Sequence, residues 1–541
     1  MRYGMIDGSG PLAAKIWIVG DAPGEQELRE NRLFTGASGR FLRDAIKKTG
    51  VSDGEVRFEN LIGVRPPDND FSYFFTHPEL HAQLEKSIEL LKERITKCQP
   101  NIVILIGTHP LKLLCNKSPI TSWRGHLFWS EELSCKCLAT YHPSACLRQE
   151  HVDKTQKPGQ FSALFKFDIS KAIAHSGVRS YTPPQPEVIT NPTFSRARDF
   201  LQWLLTSSTT IAFDIETLHS GTPDVAPVCI GYAPNENIGI CIPFFVGNRY
   251  FFSDERQRCE IIRLVHQIQL SDIPKVAQNA QYDMSVLEYA FKIKTRNLVW
   301  DTLCAAHNIY CDLPKDLGSL IAMYSNFEYH KQLSKSESLT DFWTYNALDA
   351  MSTHSIMQGQ IEEMKELDIL EHFYRVTLPL ISCLVEMQLT GVKVDLKLRE
   401  ELIVQQKQFQ EQLLRALQSL VPGYLPTSPK KVMKLFYEVF NCKPVRAGKS
   451  FTGNADAMDI IYAREQRQLV KLFAKATNAY RVSVHLTGVF ETTLLNGRMH
   501  TAYSAEGTDT GRVNSRESNF GTGTNLQNLQ HGNPRRLLIP G

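Results

Sequence analysis

Residues 210–217 read Thr-Ile-Ala-Phe-Asp-Ile-Glu-Thr, an apolar run that ends in two carboxylates spaced by one residue. The run is typical of a buried β-strand. Because successive side chains of a strand point to opposite faces, Asp214 and Glu216 are expected on the same face. Such a pair alone is common on solvated strands, so a functional site is predicted only if the chain supplies further ligands.

Two later segments supply polar side chains at helical spacing. Asp283 follows Asn279 by four residues, and Asp349 follows Tyr345 by four, which puts each pair on one helical face. Hard divalent cations such as Mg²⁺ bind oxygen ligands and keep several waters, so a few converging carboxylates hold them. Two such ions about 4 Å apart can activate a water and stabilise a leaving 3′ oxygen. The segments together predict a metal-dependent site that cuts phosphodiesters.

The three segments resemble the DEDDy-type 3′–5′ exonuclease proofreading domain of family A DNA polymerases, and every motif residue is present. The resemblance implies an RNase H-like domain with two Mg²⁺ or Mn²⁺ ions. It implies that Asp214, Glu216 and Asp349 hold the metals. It further implies that Asp283 acts through the water shell of the second ion and that Tyr345 positions the attacking water.

Changes of pattern divide the chain into four parts, and the predicted fold class is α/β multidomain. Residues 1–175 alternate short apolar runs with amphipathic helical stretches, an α/β signature. Residues 176–194 form the connection, in which Arg179–Phe194 holds four prolines and is typical of a semi-extended linker. Residues 195–365 carry the carboxylate segments in a second α/β layout, and residues 366–541 begin as a helical region.

Length and composition are those of an ordinary globular protein. The chain has 541 residues, 42% of them hydrophobic and 22% charged, so two to four domains are expected. No apolar run approaches the ~18 residues of a membrane span, and the N-terminus lacks a signal-peptide core, which favours an intracellular location. The 12 cysteines contain no C-x-x-C pair, which predicts reduced, mostly buried thiols.

The charge distribution leaves two interpretations open. The net charge is only +3, so the whole chain has no basic signature for nucleic acid. Between Leu396 and Arg481, however, 15 Lys and Arg stand against 7 Asp and Glu. Such a stripe can neutralise a phosphate backbone. A solvated helical surface explains the same charges equally well.

Near the N-terminus, the predicted strand Ile16–Val19 runs into Gly20–Glu27, a glycine-bracketed turn that begins a helix. The turn lacks the G-x-G-x-x-G of a dinucleotide site. Its backbone N–H groups near a helix N-terminus still suit a close ligand. Phe34, Asn60 and His142 then supply an aromatic ring, an amide and an imidazole. These groups suit a flipped-out pyrimidine, by stacking, by hydrogen bonding to the base edge and by stabilising charge on the departing base, respectively.

The context of these residues (GDAPGE, NRLFTG, RPP and YHPS) is similar to the uracil-DNA glycosylase superfamily, most like its family 4, over nearly all of residues 15–150. The resemblance implies an α/β/α sandwich with a base pocket. Asp21 stands where the family usually has Glu, in the loop thought to position the hydrolytic water. The iron–sulfur cysteines of that family are missing, so no cluster is expected. Base excision and mere DNA holding stay equally open.

The last part of the chain resembles the entry into the polymerase domain of family A enzymes. Thr508–Ser515 (TDTGRVNS), Thr524–Gln530 (TNLQNLQ) and Arg535–Gly541 (RRLLIPG) match its motifs. The resemblance implies a mostly helical thumb with a partial palm, in contact with a primer–template. The implied contact residues are Thr510, Gly511, Arg512, Gln527 and Asn528. Amides and an arginine suit the degenerate acceptors of the minor groove.

On the same resemblance, Gly541 precedes the strand that should supply the first catalytic polymerase aspartate, and the fingers are absent too. The chain alone is therefore expected not to polymerise. Either it is a truncated form, or a second chain supplies the C-terminal palm and fingers. A half-built palm would expose sheet edge and apolar surface, which favours an obligate partner.

The preferred interpretation is the N-terminal part of a phage-type family A replicative DNA polymerase in the cytoplasm of an infected bacterial host. Its own chemistry would be metal-dependent removal of nucleotides from a single-stranded DNA 3′ end. Two alternatives stay open: a DNA-binding scaffold subunit of a split polymerase, and a glycosylase for uracil or a modified base. Metal dependence separates them, because exonuclease activity should vanish with EDTA and with Asp214→Ala, whereas hydrolytic base excision needs no metal.

Overall fold

The computed structural model of the chain describes residues 6–152, 159–447, 450–529 and 533–540. The chain divides into two compact units. Unit 1 comprises residues up to Leu218, residues 226–382 and residues 508–511, and unit 2 comprises residues 219–225, 383–507 and those from Arg512 on. Gly541, on which the expectation of an incomplete palm depends, lies outside the described residues.

Unit 1 begins with the predicted α/β/α sandwich. Its strands are β1 (Ile16–Gly20), β2 (Val56–Asn60), β3 (Ile102–Ile106), β4 (Leu127–Ser130) and β5 (Cys135–Thr140). In the described residues they form one sheet of order β2-β1-β3-β5-β4, parallel except for β4. The helices are α1 (Glu25–Glu30), α2 (Ala37–Lys47), α3 (Tyr73–Thr76), α4 (Pro78–Cys98), α5 (Thr108–Cys115), α6 (Ile120–Trp123), α7 (Pro143–Val152) and α8 (Gln160–Ala174).

Alternation along the central strands explains the three layers. Ile16 and Ile18 of β1 face one hydrophobic core, together with residues of α2 and α8. Trp17 and Val19 face a second core, together with residues of α4 and α5. Because a strand buried on both faces favours apolar side chains at every position, the central strands β1 and β3 are continuous apolar runs rather than alternating ones.

The second part of unit 1 is a mixed sheet with helices. Its strands are β6 (Glu187–Ile189), β7 (Ile211–Leu218), β8 (Ala226–Ala233), β9 (Ile238–Pro243), β10 (Phe245–Val246), β11 (Arg249–Tyr250), β12 (Lys275–Ala277) and β13 (Leu298–Asp301). Over the part of the chain that is described, the main sheet has the order β13-β12-β7-β8-β9-β6. The helices are α9 (Phe194–Ser207), α10 (Glu255–Leu270), α11 (Ala280–Phe291), α12 (Thr302–Ile309), α13 (Leu317–Tyr324), α14 (Leu339–Glu366), α15 (Leu370–His372) and α16 (Leu378–Thr390), the last of which runs into unit 2.

Part of the proline-rich segment is a strand, where the sequence predicts only a linker. β6 pairs in parallel with β9, Glu187 opposite Ile238. An edge strand has one hydrogen-bonded neighbour, so prolines just before it are tolerated. The partner strand lies far along the chain, and no local pattern signals this pairing.

The helix α14 crosses the sheet unusually closely at one glycine. Gly231 on β8 pairs with Asp214 on β7. A Cβ atom at position 231 would lie 2.6 Å from the carbonyl oxygen of Asn346 on α14, a distance that side chains do not tolerate. The missing side chain therefore lets α14 bring its polar residues against the carboxylates of β7.

Unit 2 is mostly helical, as predicted. Its helices are α17 (Leu396–Leu420), α18 (Pro429–Met433), α19 (Ala455–Arg464), α20 (Gln468–Glu491) and α21 (Asn533–Arg536). Its short strands are β14 (Val392–Val394), β15 (Arg446–Ala447), β16 (Ser450–Phe451), β17 (Arg498–Met499), β18 (Ala502–Ser504), β19 (Asn514–Arg516) and β20 (Leu538–Ile539). The two long helices α17 and α20 pack together, and the Gln410 amide donates to the hydroxyls of Ser483 and Thr487 over 3.2 and 2.7 Å.

Two sequence-level expectations concern the whole chain. Among the described residues, none of the helices has the length and apolar character to cross a membrane. The twelve cysteines all lie within the described residues and form no disulfide there, and eight of them are buried, which confirms the prediction of mostly buried thiols.

Candidate functional site

The strand β7 and the helix α14 bring three predicted metal ligands together. Asp214 and Glu216 lie on one face of β7, as their spacing predicts, and Asp349 lies on α14. One carboxylate oxygen from each of the three lies within 4.8 Å of the others. The side-chain amide of Asn346, also on α14, donates to Oδ2 of Asp214 over 2.8 Å and orients that carboxylate.

Asp283 completes the cluster from α11. Its side chain is buried and accepts a hydrogen bond from the backbone N–H of Ile215, between the two strand carboxylates. Asp301 accepts the backbone N–H of Ala280 over 2.7 Å and so anchors the first turn of α11. Oδ2 of Asp283 has no hydrogen-bond partner among the described residues.

Crowding of these carboxylates in a buried space perturbs their proton affinity. Burial raises the pKa of Asp214 well above its usual range, and the charges of Asp283 and Asp349 add to this effect. Burial and the charge of Asp349 raise the pKa of Glu216 to about 7. Burial and the charge of Glu216 likewise raise the pKa of Asp283. The cluster therefore retains protons when no cation compensates its charge.

The donor set fits hard divalent cations. A buried carboxylate oxygen without a partner, as in Asp283, is costly unless a positive charge compensates it. Several carboxylate oxygens within a few ångströms repel one another for the same reason. Oxygen ligands of this kind, with room for water, are those that Mg²⁺ and Mn²⁺ prefer.

Tyr345 lies beside Asp349 on α14. Burial raises the pKa of the Tyr345 phenol, and the charge and hydrogen bond of Asp349 raise it further. The phenol therefore stays protonated at neutral pH. Its hydroxyl is able both to donate and to accept a hydrogen bond next to the carboxylate cluster.

His330, which the sequence did not predict as a site residue, contacts a predicted metal ligand directly. Its Nε2 lies 2.8 Å from Oδ1 of Asp349, and its Nδ1 lies 3.0 Å from the carbonyl oxygen of Glu328. Burial acts to lower the pKa of His330, but the hydrogen bond and charge of Asp349 outweigh it, so the pKa is raised. A single histidine outside any periodic pattern gave no signal in the sequence.

We expect the affinity for a divalent ion to fall about tenfold between pH 8 and pH 6, because protons compete for the same oxygens. With the pKa of Glu216 at about 7, this carboxylate is mostly ionised at pH 8 and mostly protonated at pH 6. Acidification therefore weakens binding. Calorimetric titration with Mn²⁺ at the two pH values measures the change, and equal affinities would contradict it.

The four residues predicted to form a base pocket line one cavity of about 810 Å³. Asp21 follows β1, Asn60 ends β2 and His142 follows β5. Because the carboxyl ends of parallel strands meet at one edge of a sheet, these residues lie together. Phe34 lines the same cavity from the loop between α1 and α2.

The backbone at Phe34 is held in an unusual conformation. Its φ angle is 55°, a left-handed geometry that residues with a side chain seldom adopt. The Phe34 N–H donates to Oε1 of Glu27 over 2.5 Å, and Nε of Arg43 donates to the Phe34 carbonyl over 2.9 Å. A Cβ atom on Gly20 would lie 2.8 Å from Cζ of Phe34, so the glycine leaves the space that the ring occupies.

The contacts of His142 fix its tautomer. The backbone N–H of Ser144 donates to Nδ1 of His142 over 3.1 Å, so Nδ1 is an acceptor and the ring proton sits on Nε2. Burial lowers the pKa of His142, which keeps the ring neutral. A neutral imidazole in the cavity wall thus has Nε2–H as its free donor group.

His109 also lines this pocket, although the sequence did not predict it as a site residue. Its Nδ1 lies 3.1 Å from Oδ2 of Asp21, and its ring stacks on Phe71 with centroids 4.3 Å apart. His109 lies at the start of α5, just after β3. His109 lies near Asp21 because β3 pairs with β1 in the sheet. The sequence alone did not give this strand order.

The predicted primer–template residues are all exposed. In unit 2, Gln527 and Asn528 belong to the short 3₁₀ helix Leu526–Asn528. The Gln527 amide donates to the carbonyl of Val513, the residue after Arg512, over 3.0 Å. The remaining two, in unit 1, are Thr510 and Gly511. Their part in DNA binding stays a prediction.

Two family models match the chain. Residues 8–165 match the uracil DNA glycosylase superfamily. Residues 192–363 match a 3′–5′ exonuclease family. The first range contains the cavity around Phe34, and the second contains the carboxylate cluster.

Individual relatives agree with this division. The type-4 uracil-DNA glycosylase of Sulfurisphaera tokodaii is 32% identical over 161 residues, which cover 28% of this chain and 70% of that protein. The DNA polymerase of Bacillus phage SP01 is 23% identical over 325 residues, 55% of this chain but only 33% of that protein. A solved structure, the POL domain of Pol1 from M. smegmatis in complex with DNA primer-template and dNTP, has 19% identity and a TM-score of 0.49, covering 63% of this chain and 57% of that one.

The chain is thus homologous to a phage DNA polymerase over about half of its own length, and its exonuclease domain is of a kind that generally uses divalent metal ions. Its glycosylase relative is matched over most of that protein's length. The chain therefore belongs to the uracil DNA glycosylase superfamily through residues 8–165 and carries, in residues 192–363, the 3′–5′ exonuclease domain of family A DNA polymerases.

Proposed function

We propose that Asp214, Glu216 and Asp349 hold two Mg²⁺ or Mn²⁺ ions and that this site removes nucleotides from the 3′ end of single-stranded DNA. The observation that carries the proposal is the convergence of their oxygens within 4.8 Å. When bound, the ions supply activation of the attacking water and charge stabilisation at the leaving 3′ oxygen.

The protein's own side chains have separate tasks in this proposal. The Tyr345 hydroxyl orients the attacking water through the hydrogen bond that it can make beside Asp349. Asp283 contributes its unpartnered Oδ2 as an acceptor for ordered water. Asn346 keeps Asp214 in one orientation by its 2.8 Å hydrogen bond.

The wider setting is part of the proposal, because the chain covers only a third of the phage polymerase that it matches. In this setting the site proofreads for a replicative family A polymerase in the cytoplasm of an infected bacterium. A C-terminal half with palm and fingers would complete nucleotide addition. The duplex would contact the exposed residues Thr510, Gly511, Arg512, Gln527 and Asn528.

The direct test uses the full chain and DNA labelled at its 5′ end, so that 3′ shortening appears as a ladder. Mg²⁺ should give stepwise shortening of single-stranded DNA, and EDTA should stop it. A strand whose 3′ terminal linkages are phosphorothioates serves as the control substrate and should resist. No shortening in either Mg²⁺ or Mn²⁺ would leave the DNA-binding scaffold as the better reading.

We expect Tyr345→Phe to lower kcat for this reaction about 10- to 100-fold, because a misplaced water costs that order of rate. The ring remains, so the fold and the carboxylate cluster stay in place. Mn²⁺ affinity, measured by calorimetry, should not change. A variant with unaltered kcat would remove Tyr345 from the mechanism.

A second candidate function, hydrolytic excision of a pyrimidine base, is favoured by the tautomer of His142. A neutral ring with Nε2–H in the cavity wall is suited to stabilise negative charge on a departing base. The Asn60 amide offers a donor and an acceptor for a base edge, and Phe34 offers a face for stacking. Asp21, close to His109, is the available carboxylate for a water.

Base excision is tested in EDTA, where the exonuclease is silent. Single-stranded DNA with one uracil is incubated with the chain and then treated with alkali, which cleaves at abasic sites. Wild-type protein should give cleavage at the uracil, and His142→Leu should lower it at least about 10²-fold, the magnitude typical of one lost charge-stabilising donor. Absence of cleavage in the wild type would assign the pocket to base binding without excision.

A further inference from the structure

Residues 322–330, the segment that leads to the exonuclease site, accept hydrogen bonds from a lysine of the glycosylase-like domain. Lys171 on α8 is half-buried, and its Nζ donates to the carbonyl oxygens of Ala322 and Ser325, each over 2.7 Å. These carbonyls lie at the C-terminal end of α13, where helical carbonyls lack intrahelical partners and a cation is favoured. The lysine of one domain thus caps a helix of the other.

A histidine of the glycosylase-like domain holds the same segment two residues further on. Nδ1 of His126 lies 3.3 Å from the carbonyl oxygen of Phe327. Burial lowers the pKa of His126 to about 3, so the ring is neutral, and Nδ1–H must be the donor to this carbonyl. His126 and Trp123 also contact Tyr329, with ring centroids 5.8 and 5.6 Å apart.

The segment 322–330 ends at the carboxylate cluster. His330 follows Tyr329 directly, and its Nε2 lies 2.8 Å from Oδ1 of Asp349. Both side chains are buried. A continuous set of direct contacts therefore runs from α8 and the residues after α6, through residues 322–330, to a proposed metal ligand.

We propose that Lys171 and His126 are positioning residues of the exonuclease site: they fix residues 322–330 so that His330 holds Asp349 in the orientation that binds a divalent ion. This inference rests on the proposed exonuclease function. The glycosylase-like domain would then contribute to metal binding at the exonuclease site by positioning residues 322–330. Groups that orient a metal ligand through hydrogen bonds typically affect metal affinity or activity 10- to 100-fold.

The first experiment compares Mn²⁺ binding by the full chain and its variants in calorimetry. His126→Phe keeps a ring but removes the donor to Phe327, and we expect Mn²⁺ affinity at least tenfold below that of the wild type. His126→Asn places an amide N–H near the position of Nδ1, so it should restore most of the affinity. A purely structural contact would not show this rescue.

The second experiment uses Lys171→Met, matched by Lys166→Met at an exposed position of the same helix. We expect Lys171→Met to lower Mn²⁺ affinity and kcat for 3′ shortening at least tenfold, with KM for DNA unchanged. Lys166→Met should behave as the wild type. Circular dichroism establishes that each variant is folded.

The outcomes are distinguishable. Wild-type Mn²⁺ affinity and kcat in folded Lys171→Met and His126→Phe would overturn the inference. If either variant fails to fold, His330→Leu, which breaks only the final contact, decides the matter: unchanged Mn²⁺ affinity would overturn it. A wild-type chain that neither binds Mn²⁺ nor shortens DNA would instead refute the proposed function.

Discussion

Replacement of Asp214 by asparagine is expected to lower kcat/KM for 3′ shortening of single-stranded DNA by about 10³-fold or more. The amide keeps the volume of the side chain but removes a charged metal ligand. Charge stabilisation by bound ions contributes several kcal/mol, and each 1.36 kcal/mol corresponds to about a factor of ten in rate. Quantified gel ladders with full-length protein measure the loss.

The same variant has a thermodynamic signature that separates loss of charge from misfolding. Burial and neighbouring carboxylates raise the pKa of Asp214, so the ionised form is unfavourable in the folded protein at neutral pH without metal. Asp214→Asn should therefore raise Tm in EDTA while losing most of the stabilisation that Mg²⁺ gives the wild type.

Asp272→Asn is the matched control, because the side chain of Asp272 is 83% exposed in the same domain. It should leave both activity and Mg²⁺-dependent stability unchanged. Retention of more than a tenth of the activity by Asp214→Asn would argue against a metal-binding role for this residue.

Replacement of Arg124 by methionine is expected to lower the free energy of unfolding of the glycosylase-like domain by about 3–5 kcal/mol, because it leaves a buried charge without its partner. The side chains of Arg124 and Asp168 are 3% and 1% exposed. Nε of Arg124 lies 3.0 Å from Oδ2 of Asp168, and Thr140 donates to the same oxygen over 2.7 Å. Urea denaturation followed by tryptophan fluorescence measures the change.

Two further variants test whether the loss of stability comes from the buried ion pair. Arg196→Met breaks an exposed pair with Glu187, whose side chains are 54% and 59% accessible, and should change stability by less than about 1 kcal/mol. The double variant Arg124→Met with Asp168→Leu removes both buried charges and should recover much of the loss. A single variant as stable as the wild type would refute the assigned role of the pair.

Local patterns predicted which candidate site residues lie together on one strand or on one helix. Asp214 and Glu216 face the same way because a strand alternates, and Tyr345 and Asp349 do so because a helix repeats every 3.6 residues. The region that begins at residue 366 was predicted to be helical, and α17 (Leu396–Leu420) lies within it. In each of the two pairs the residues lie within about two helical turns or one strand of each other. Their relative orientation therefore follows from the local sequence alone.

Contacts between residues that are far apart in the sequence were not predicted. His330 reaches Asp349 from 19 residues away, and Asn346 reaches Asp214 from 132 residues away. Neither side chain belongs to a periodic pattern of its own. The β6 strand was missed for the same reason, since pairing with β9 rather than local propensity decides it. Residues of this kind are found only once the order of strands and helices is known.

The contact at Gly231 has a consequence for how the nuclease centre responds to change. The backbones of β8 and α14 meet there without a side chain on Gly231 between them. Rigid peptide units therefore set the distance between the carboxylates on β7 and the carboxylate on α14. Side-chain interiors adjust to substitution by rotamer shifts, but this contact has no rotamer to shift. Substitutions elsewhere in the domain interior can therefore lower its stability while the distance between the carboxylates of β7 and Asp349 on α14 stays the same.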